Sequence, residues 1–177
     1  MSFRSAVARE VEVPGLCDLS ASLRSLRLQG PATAGWLRAR QIDCPETLFE
    51  VSRQGNGRDD LWVARVGNGD VILQDGIAGE TLIELEAALG DTPRVFRVPE
   101  QATTLRLSGP KAEATWRQTC AVPLAEATTE RVVYSRVAGV SCAIFPERIA
   151  GERSYRIWVD YSLAPALWQS LAEILTE

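Results

Sequence analysis

Alternating apolar and polar positions open two similar stretches of the chain. Residues 26–36 read LRLQGPATAGW, and residues 105–116 read LRLSGPKAEATW. In each stretch Leu-Arg-Leu places two apolar side chains on one face and an arginine, Arg27 or Arg106, on the other, which is typical of a half-buried strand. Gly-Pro then ends the strand and opens a helix, because proline is tolerated at the first helical position. The pattern predicts strand, turn and helix in both copies, with helices over residues 31–40 and 110–120.

Two pairs of apolar runs separated by short turns follow these helices. LWVARV and VILQ flank Asn68-Gly69, a pair that readily adopts the positive φ angles of a type I′ hairpin turn. RVVYSRV and VSCAIF flank Ala138-Gly139 in a comparable arrangement, and SYRIWV adds a strand that ends near Val159. The pattern predicts a β-hairpin in each half, with VFRV at residues 95–98 as an added strand that bridges the halves.

A helical pattern closes each half. GETLIELEAALGD and SLAPALWQSLAEIL place leucines at helical spacing, and Ser162 is the predicted N-cap of the second helix, with Pro165 in its first turn. Residues 52–60 and 146–154 are polar and rich in glycine or charge, so exposed loops are expected there. We expect an α+β fold, a single domain over residues 1–177, built from pseudo-duplicated β-α-β-β-α halves at about residues 15–92 and 93–177.

Composition narrows the classes of function. Hydrophobic residues make up 46% of the 177 residues and charged residues 24%, which is ordinary globular usage. The net charge of -4 argues against a nucleic-acid groove or an anionic membrane surface, since both require clustered Lys and Arg. We find no secretion signal and no apolar run of membrane-spanning length, so a cytoplasmic protein is expected.

The residue types that most often carry chemistry are scarce. The sequence contains no histidine, the commonest general base and transition-metal ligand. Its four cysteines are widely spaced and form no CxxC pair, so we expect reduced and mostly buried thiols rather than a zinc or redox motif. We therefore expect neither a catalytic residue nor a metal site in this chain.

A few polar features remain as candidate ligand contacts. The first N–H groups of the two Gly-Pro helices could hold an anion. Asp18, in the Asp-Leu-Ser stretch before the first repeat, could contact a ligand or close a turn. Asp43 and the Asp59-Asp60 pair are the other candidate carboxylates.

Tryptophan is more abundant than a small core requires. Trp is favoured at protein interfaces because it is large, rigid and keeps one polar group. Packing in the core explains about three of the five, and the others are candidate anchors for a partner. The candidates are Trp36, Trp62, Trp116, Trp158 and Trp168.

Several of these stretches resemble a known superfamily. CDLSASLRSLRLQGPATAGWL is similar to the opening of the folate-binding aminomethyltransferases, the glycine-cleavage T-protein and its relatives, where Asp-Leu-Ser, a strand and Ser-Gly-Pro before a helix recur. TLRLSGPKAEATW, CAVPL and YRIWVDYSLAPALWQSL resemble the gamma subunit of heterotetrameric sarcosine oxidase. The matching positions are residues 107–110, Cys120, Pro123, Leu124, Tyr155, Arg156, Val159, Ser162, Ala164, Leu167 and Trp168.

The sequence departs from the superfamily pattern at two places. The T-proteins carry Asn-Asp before their folate-site loop, whereas the comparable residues 41–44 here read QIDC. In the Cys-Pro-Leu segment, Ala121 and Val122 are interposed. Asp43 and Asp18 are the only residues that the resemblance offers for contact with folate.

The resemblance implies a role inside a larger enzyme. In the sarcosine oxidase complex the beta subunit carries FAD and FMN, the alpha subunit binds NAD and tetrahydrofolate, and the delta subunit holds zinc. The gamma-like chain is then a non-catalytic subunit with a structural role, and its cofactors lie in its partners. The alternatives are a stand-alone folate-binding or aminomethyltransferase-like protein, with a pocket between the halves lined by Asp43 or Asp18, and a scaffold for an unrelated partner.

Overall fold

The computed structural model describes residues 13–55, 60–76, 79–99, 101–124, 130–149 and 151–177. Within these ranges the strands are β1 Leu16–Asp18, β2 Ser25–Gln29, β3 Val51–Gln54, β4 Leu61–Gly67, β5 Asp70–Gln74, β6 Phe96–Val98, β7 Ala102–Leu107, β8 Val133–Val137, β9 Val140–Ile149 and β10 Glu152–Asp160. The helices are α1 Thr33–Arg38, α2 Thr81–Leu89, α3 Ala112–Thr119 and α4 Ala164–Thr176. The fold is α+β, as predicted, and its strands form two five-stranded antiparallel sheets.

The first compact unit spans Ser22–Glu100 and has the strand order β3-β4-β5-β2-β6. Alternate residues of β2, β4 and β5 point to one face, where they pack with α1 and α2. The buried cluster contains Leu26, Leu28, Trp36, Leu37, Ile42, Cys44, Leu61, Val63, Val71, Leu73, Leu82, Leu85, Leu89 and Val95.

The β4–β5 hairpin forms as predicted, but its turn differs. Gly69 has a φ of 75°, whereas Asn68 is not among the residues with positive φ, so the turn is not type I′. A register shift between Arg65 and Gly67 compensates with a bulge in β4. The main chain of Gly69 accepts a hydrogen bond from the Gly30 N–H at 2.9 Å, which ties the hairpin to the Gly-Pro turn.

The second unit comprises Gln101–Glu177 and the described residues before Ser22, and its strand order is β1-β7-β10-β9-β8. One face of this sheet packs against α3 and α4. Lys111, just before α3, donates a hydrogen bond to the Leu175 carbonyl in the last turn of α4 at 2.8 Å, a favourable place for a cation. In the β8–β9 hairpin Ala138 and Gly139 both have positive φ, at 46° and 81°, as a type I′ turn requires.

The boundaries of the two units differ from those of the expected halves, because the short strands β1 and β6 each belong to the sheet of the other half. β1 pairs with β7, so the segment before Ser22 joins the second sheet. Among the described residues β6 pairs only with β2, as an edge strand of the first sheet, so the strand predicted to bridge the halves belongs to the first unit. That the whole chain is one domain stays a prediction.

Three local predictions were wrong. α1 and α3 begin two residues after Pro31 and Pro110, which lie in the preceding turns. Ser162 does not cap α4, since its N–H and hydroxyl both bond to the Asp160 carboxylate and Leu163 is the capping residue.

The two expected loops are largely strands in the part of the chain that the structure describes. Residues 52–54 belong to β3, and residues 56–59 lie outside the described ranges. Residues 146–149 and 152–154 form the paired ends of β9 and β10. Polar composition misled the prediction here because strand pairing depends on partners elsewhere in the sequence: residues 52–54 pair with residues 61–63 of β4, and Glu147 pairs with Ser154.

Candidate functional site

At each Gly-Pro turn the first N–H of the following helix bonds back to the carbonyl of the turn glycine. The Thr33 N–H bonds to the Gly30 carbonyl at 3.1 Å, and the Ala112 N–H bonds to the Gly109 carbonyl at 3.0 Å. α1 is also only six residues long. The Gly-Pro motif therefore serves to turn a strand into a helix.

Asp18 lies at the end of β1 and closes a turn. Its carboxylate accepts a hydrogen bond from the Ser20 N–H at 2.8 Å, and the Ser20 hydroxyl accepts one from the Thr104 N–H at 2.9 Å. These contacts attach the turn to β7, in the same unit. Asp18 therefore closes a turn, and its contact with a ligand stays a prediction.

Asp43 follows α1 and its side chain is exposed. Its main chain is held on both sides, since its N–H donates to the Gln54 side chain at 3.0 Å and its carbonyl accepts from the Ser52 hydroxyl at 2.7 Å. Asp60 is partly buried, and Asp59 lies outside the described residues. The structure therefore places Asp18 and Asp43 in different units.

Four of the five tryptophans are buried within this chain. Trp36 packs in the first core beneath the Arg40 guanidinium, which lies 4.0 Å from the ring centroid. Trp62 is covered in the same way by Arg53 at 3.8 Å. Both contacts are cation–π interactions, which stabilise each ring locally.

The other tryptophans lie in the second unit. Trp116 stacks on Tyr155, with ring centroids 4.7 Å apart, and Trp158 contacts Phe145 at 4.0 Å. Trp168 packs against the second core and is partly buried. A tryptophan anchor for a partner therefore stays a prediction, and Trp168 is its strongest candidate.

The sequence argument missed the exposed apolar side chains. A large apolar residue on the surface cannot be recognised from composition, because exposure is a product of tertiary packing. These residues are Leu48, Phe49, Ile83, Phe96, Tyr134, Ile149, Tyr161 and Leu163.

A cavity of about 320 Å³ lies beside α3, within the second unit. The stacked rings of Trp116 and Tyr155 contribute to its lining, and the Trp116 indole N–H is fixed by a 3.1 Å hydrogen bond to the Val122 carbonyl. We call this feature the α3 cavity. It is lined by Glu113, Trp116, Arg117, Cys120, Ala121, Val122, Pro123, Leu124 and Tyr155.

Charged groups gather at one side of the α3 cavity. The Glu113 carboxylate lies 2.5 Å from the Arg117 guanidinium and 3.9 Å from that of Arg153. The Tyr155 hydroxyl makes no hydrogen bond in the described part of the chain, and burial, followed by the nearby Glu113 charge, raises its pKa. The nearby Arg153 guanidinium opposes that rise.

A buried ion pair on β9 and β10 was also missed by the sequence argument. Arg156 donates to Glu147 at 3.1 Å, and the two side chains are only 10% and 4% exposed. The Ser154 hydroxyl, within reach of both Glu147 and the Leu107 carbonyl, completes the cluster. The signal lay in the register, because Glu147 and Ser154 are cross-strand partners and Arg156 is the next residue on the same face.

Most of the thiols are buried, as expected. All four cysteines are free, and Cys44, Cys120 and Cys142 are buried while Cys17 is exposed. Burial raises the pKa of Cys142 to about 12, so its reactive thiolate form is suppressed. Among the described residues no three His, Cys, Asp or Glu side chains converge in a way that could hold a metal ion.

No helix in the described ranges is long and apolar enough to cross a bilayer. No protein-family model and no curated protein matches the chain.

The architecture and the comparisons with solved structures agree. Two antiparallel sheets with their helices define an α+β fold of the aminomethyltransferase type. The chain is similar to a chain of the heterotetrameric sarcosine oxidase from Corynebacterium sp. U-96, solved in complex with pyrrole 2-carboxylate, with a TM-score of 0.70 and 23% identity. This similarity covers 91% of the present chain and 83% of that one.

A second similar structure is the glycine cleavage system aminomethyltransferase T from Bartonella henselae, with a TM-score of 0.62 and 22% identity. The similarity covers 89% of the present chain but only 45% of the aminomethyltransferase, so the present chain spans less than half the length of that protein. The superfamily resemblance seen in the sequence is confirmed for the fold.

Proposed function

We propose that this chain is a non-catalytic, gamma-like subunit of a cytoplasmic, heterotetrameric, flavin-dependent sarcosine oxidase-like complex. One observation carries the proposal: the fold similarity to a sarcosine oxidase chain extends over 91% of this chain and 83% of that chain. Because the two chains are similar in length and fold, this chain is suited to the position in a complex that the sarcosine oxidase chain has in its own. The match to the aminomethyltransferase leaves more than half of that protein without a counterpart.

The proposed role is assembly rather than chemistry. This role is supported by the turn that Asp18 closes and by the solvent exposure of the Asp43 side chain, because neither carboxylate is buried as a catalytic acid or base often is. In this proposal alpha, beta and delta subunits carry the FAD, FMN, NAD, tetrahydrofolate and zinc. The complex would oxidise sarcosine or a related secondary amino acid and pass the formaldehyde unit to tetrahydrofolate.

The proposal includes a pseudo-duplicated origin for the two units. From one edge of the sheet to the other, the strand order is β3-β4-β5-β2-β6 in the first unit and β8-β9-β10-β7-β1 in the second. β2 and β7 each carry Leu-Arg-Leu and lead through Gly-Pro into a helix. Each strand of one unit therefore has a counterpart at the same position in the other sheet. The edge strands β6 and β1 correspond in this way, although β6 is the last strand of its unit in sequence and β1 is the first strand of its own.

Omission of the chain separates an assembly role from a catalytic one. We expect the flavin-bearing subunits of the native complex, produced without this chain, to yield less assembled particle. Sarcosine-dependent flavin reduction per assembled flavoprotein, measured by stopped-flow absorption, should remain unchanged. Normal assembly with lost turnover per flavin would instead assign this chain a catalytic part.

A titration tests the folate-binding alternative. Calorimetry of the isolated full chain with tetrahydrofolate should give no saturable heat if the chain is a structural subunit. Binding that is lost in Asp43→Ala and retained in Glu46→Ala, a nearby exposed carboxylate, would favour a stand-alone folate-binding protein.

A further inference from the structure

The arginine of each Leu-Arg-Leu stretch lies on the face of its sheet that points away from the helices. The two leucines of β2 belong to the first core, so Arg27 between them points to the opposite face. The two leucines of β7 belong to the second core, so Arg106 points away from α3 and α4 in the same way. The two arginines can therefore be compared directly, each within its own sheet.

In the first sheet the arginine has a carboxylate partner. Arg27 lies opposite Ile72 of β5, and the residue two positions before Ile72 is Asp70. The Asp70 carboxylate accepts hydrogen bonds from the Arg27 Nε at 2.9 Å and from its Nη2 at 2.7 Å. One edge of the planar guanidinium thus binds both carboxylate oxygens, which is the strongest arrangement for this pair of groups.

In the second sheet the same position on the neighbouring strand has no carboxylate. Arg106 lies opposite Arg156 of β10, and the residue two positions before Arg156 is Ser154. The Ser154 hydroxyl donates to the Leu107 carbonyl, and the Glu147 carboxylate of β9 accepts from Arg156. Within the described ranges the Arg106 Nε is buried without a hydrogen-bond acceptor, and no carboxylate forms an ion pair with its guanidinium.

The unpaired edge of Arg106 is accessible from the side of β1. Arg106 is partly buried, and the residue opposite it on β1 is Cys17, which is small and exposed. Opposite residues of a strand pair point to the same face, so Cys17 and Arg106 are neighbours on that face. Asp18, the next residue, lies opposite Leu105 and therefore points to the other face. A buried N–H without an acceptor is unfavourable, and a ligand with two oxygens would satisfy it.

We propose that Arg106 is a binding site for a carboxylate, which it binds through Nε and a terminal nitrogen as Arg27 binds Asp70. The planar pair of N–H donors matches the two oxygens of this group. The carboxylate has two possible sources, a small organic acid or an Asp or Glu side chain of a partner subunit. The site goes beyond the proposed function, because only the second source requires a complex.

A titration of the isotope-labelled full chain with acetate tests the first source. NMR follows the arginine Nε–H signals, assigned through the backbone resonances. We expect the Arg106 signal to shift saturably with acetate and not with chloride at equal ionic strength, since screening by salt is then the same. Arg27 is the matched control, because Asp70 already accepts from its Nε and acetate should leave its signal unchanged.

Association with the other subunits tests the second source. Arg106→Lys keeps the charge but removes the planar pair of donors. It should weaken association about tenfold, which corresponds to about 1.4 kcal/mol. Arg136→Lys, at an exposed position of β8 in the same unit, is the matched control and should leave the dissociation constant unchanged. Circular dichroism of both variants confirms that the fold is retained.

The outcomes identify the source or overturn the site. A saturable acetate shift with unchanged association of Arg106→Lys assigns a small organic acid, and weakened association assigns a carboxylate of the partner. No acetate shift at Arg106, together with equal dissociation constants for Arg106→Lys and Arg136→Lys, would overturn the site and leave the proposed function intact. A chain that purifies without a partner contradicts the proposed function, whereas the acetate titration still decides whether the site exists.

Discussion

Glu147 and Arg156 show at the scale of single residues why polarity is a poor guide to exposure. Both belong to stretches whose composition is typical of a loop or an exposed strand, yet both are buried because they pair across neighbouring strands. A buried pair of this kind stabilises little relative to an apolar pair, but removal of one partner leaves an uncompensated charge.

The ion pair gives the first prediction. Glu147→Ala should lower the free energy of unfolding by about 3–5 kcal/mol, because it removes the carboxylate that pairs with the buried Arg156 guanidinium. Glu46→Ala, which removes an exposed partner of Arg38, should change it by less than about 1 kcal/mol. Urea unfolding followed by circular dichroism measures both, and equal effects would show that the Arg156 site is open to water.

The Asp70 carboxylate gives a prediction on pH. It accepts two hydrogen bonds from Arg27, at 2.9 and 2.7 Å, and one from Gln29 at 3.0 Å. Burial alone would raise the pKa of Asp70, but these hydrogen bonds outweigh burial and hold the pKa below its ordinary value. The carboxylate therefore stabilises the fold above its unfolded pKa, and that contribution disappears as pH falls through the folded-state pKa.

Asp70→Asn should accordingly be less stable than the unaltered chain at neutral pH. The gap in unfolding free energy should shrink as the pH falls below about 4, the ordinary range of an aspartate. Asp91→Asn, at an exposed carboxylate in the same unit, is the control. A gap that is constant from neutral to acid pH would contradict the assignment.

At the scale of elements, local sequence signals predicted more of the fold than of the turns. The repeated Leu-Arg-Leu and Gly-Pro stretches predicted β2, β7 and the helices that follow, because period and turn chemistry are local properties. The type I′ turn was expected at Asn68-Gly69 but occurs at Ala138-Gly139. Contact of the β4–β5 hairpin with Gly30 overrides the local preference of Asn-Gly, and this contact is invisible in a single window of sequence.

Gly69 and Gly35 form a matched pair for a test of that contact. A Cβ at Gly69 would lie 2.6 Å from the Gly30 carbonyl oxygen, and the φ of 75° is itself unfavourable for alanine. Gly69→Ala should therefore destabilise the chain by at least about 1 kcal/mol. Gly35→Ala in α1 meets nothing within 4 Å and should stabilise it by about 0.5–1 kcal/mol. Thermal unfolding of the two variants checks both signs, and stabilisation by Gly69→Ala would refute the close approach.

At the scale of the whole molecule, the resemblance in the sequence predicted the fold but not which side chains lie on the surface. The superfamily fold is present, whereas four tryptophans chosen as interface candidates are buried in this chain. The sequence could not distinguish buried from exposed tryptophans, since a tryptophan covered by an arginine and a tryptophan on the surface have the same local pattern of neighbouring residues. The α3 cavity combines α3, the CAVPL segment and β10, which lie apart in the sequence and come together only in the fold.

Isolation of the chain from its native cell under gentle conditions tests the central claim most directly. The proposal predicts that flavin-bearing subunits co-elute in fixed stoichiometry, that the pool has a flavin absorption spectrum, and that sarcosine or a related secondary amino acid bleaches it. Mass spectrometry should identify the partners in the same fractions. A colourless chain that elutes alone and binds tetrahydrofolate would contradict the account and support the folate-binding alternative.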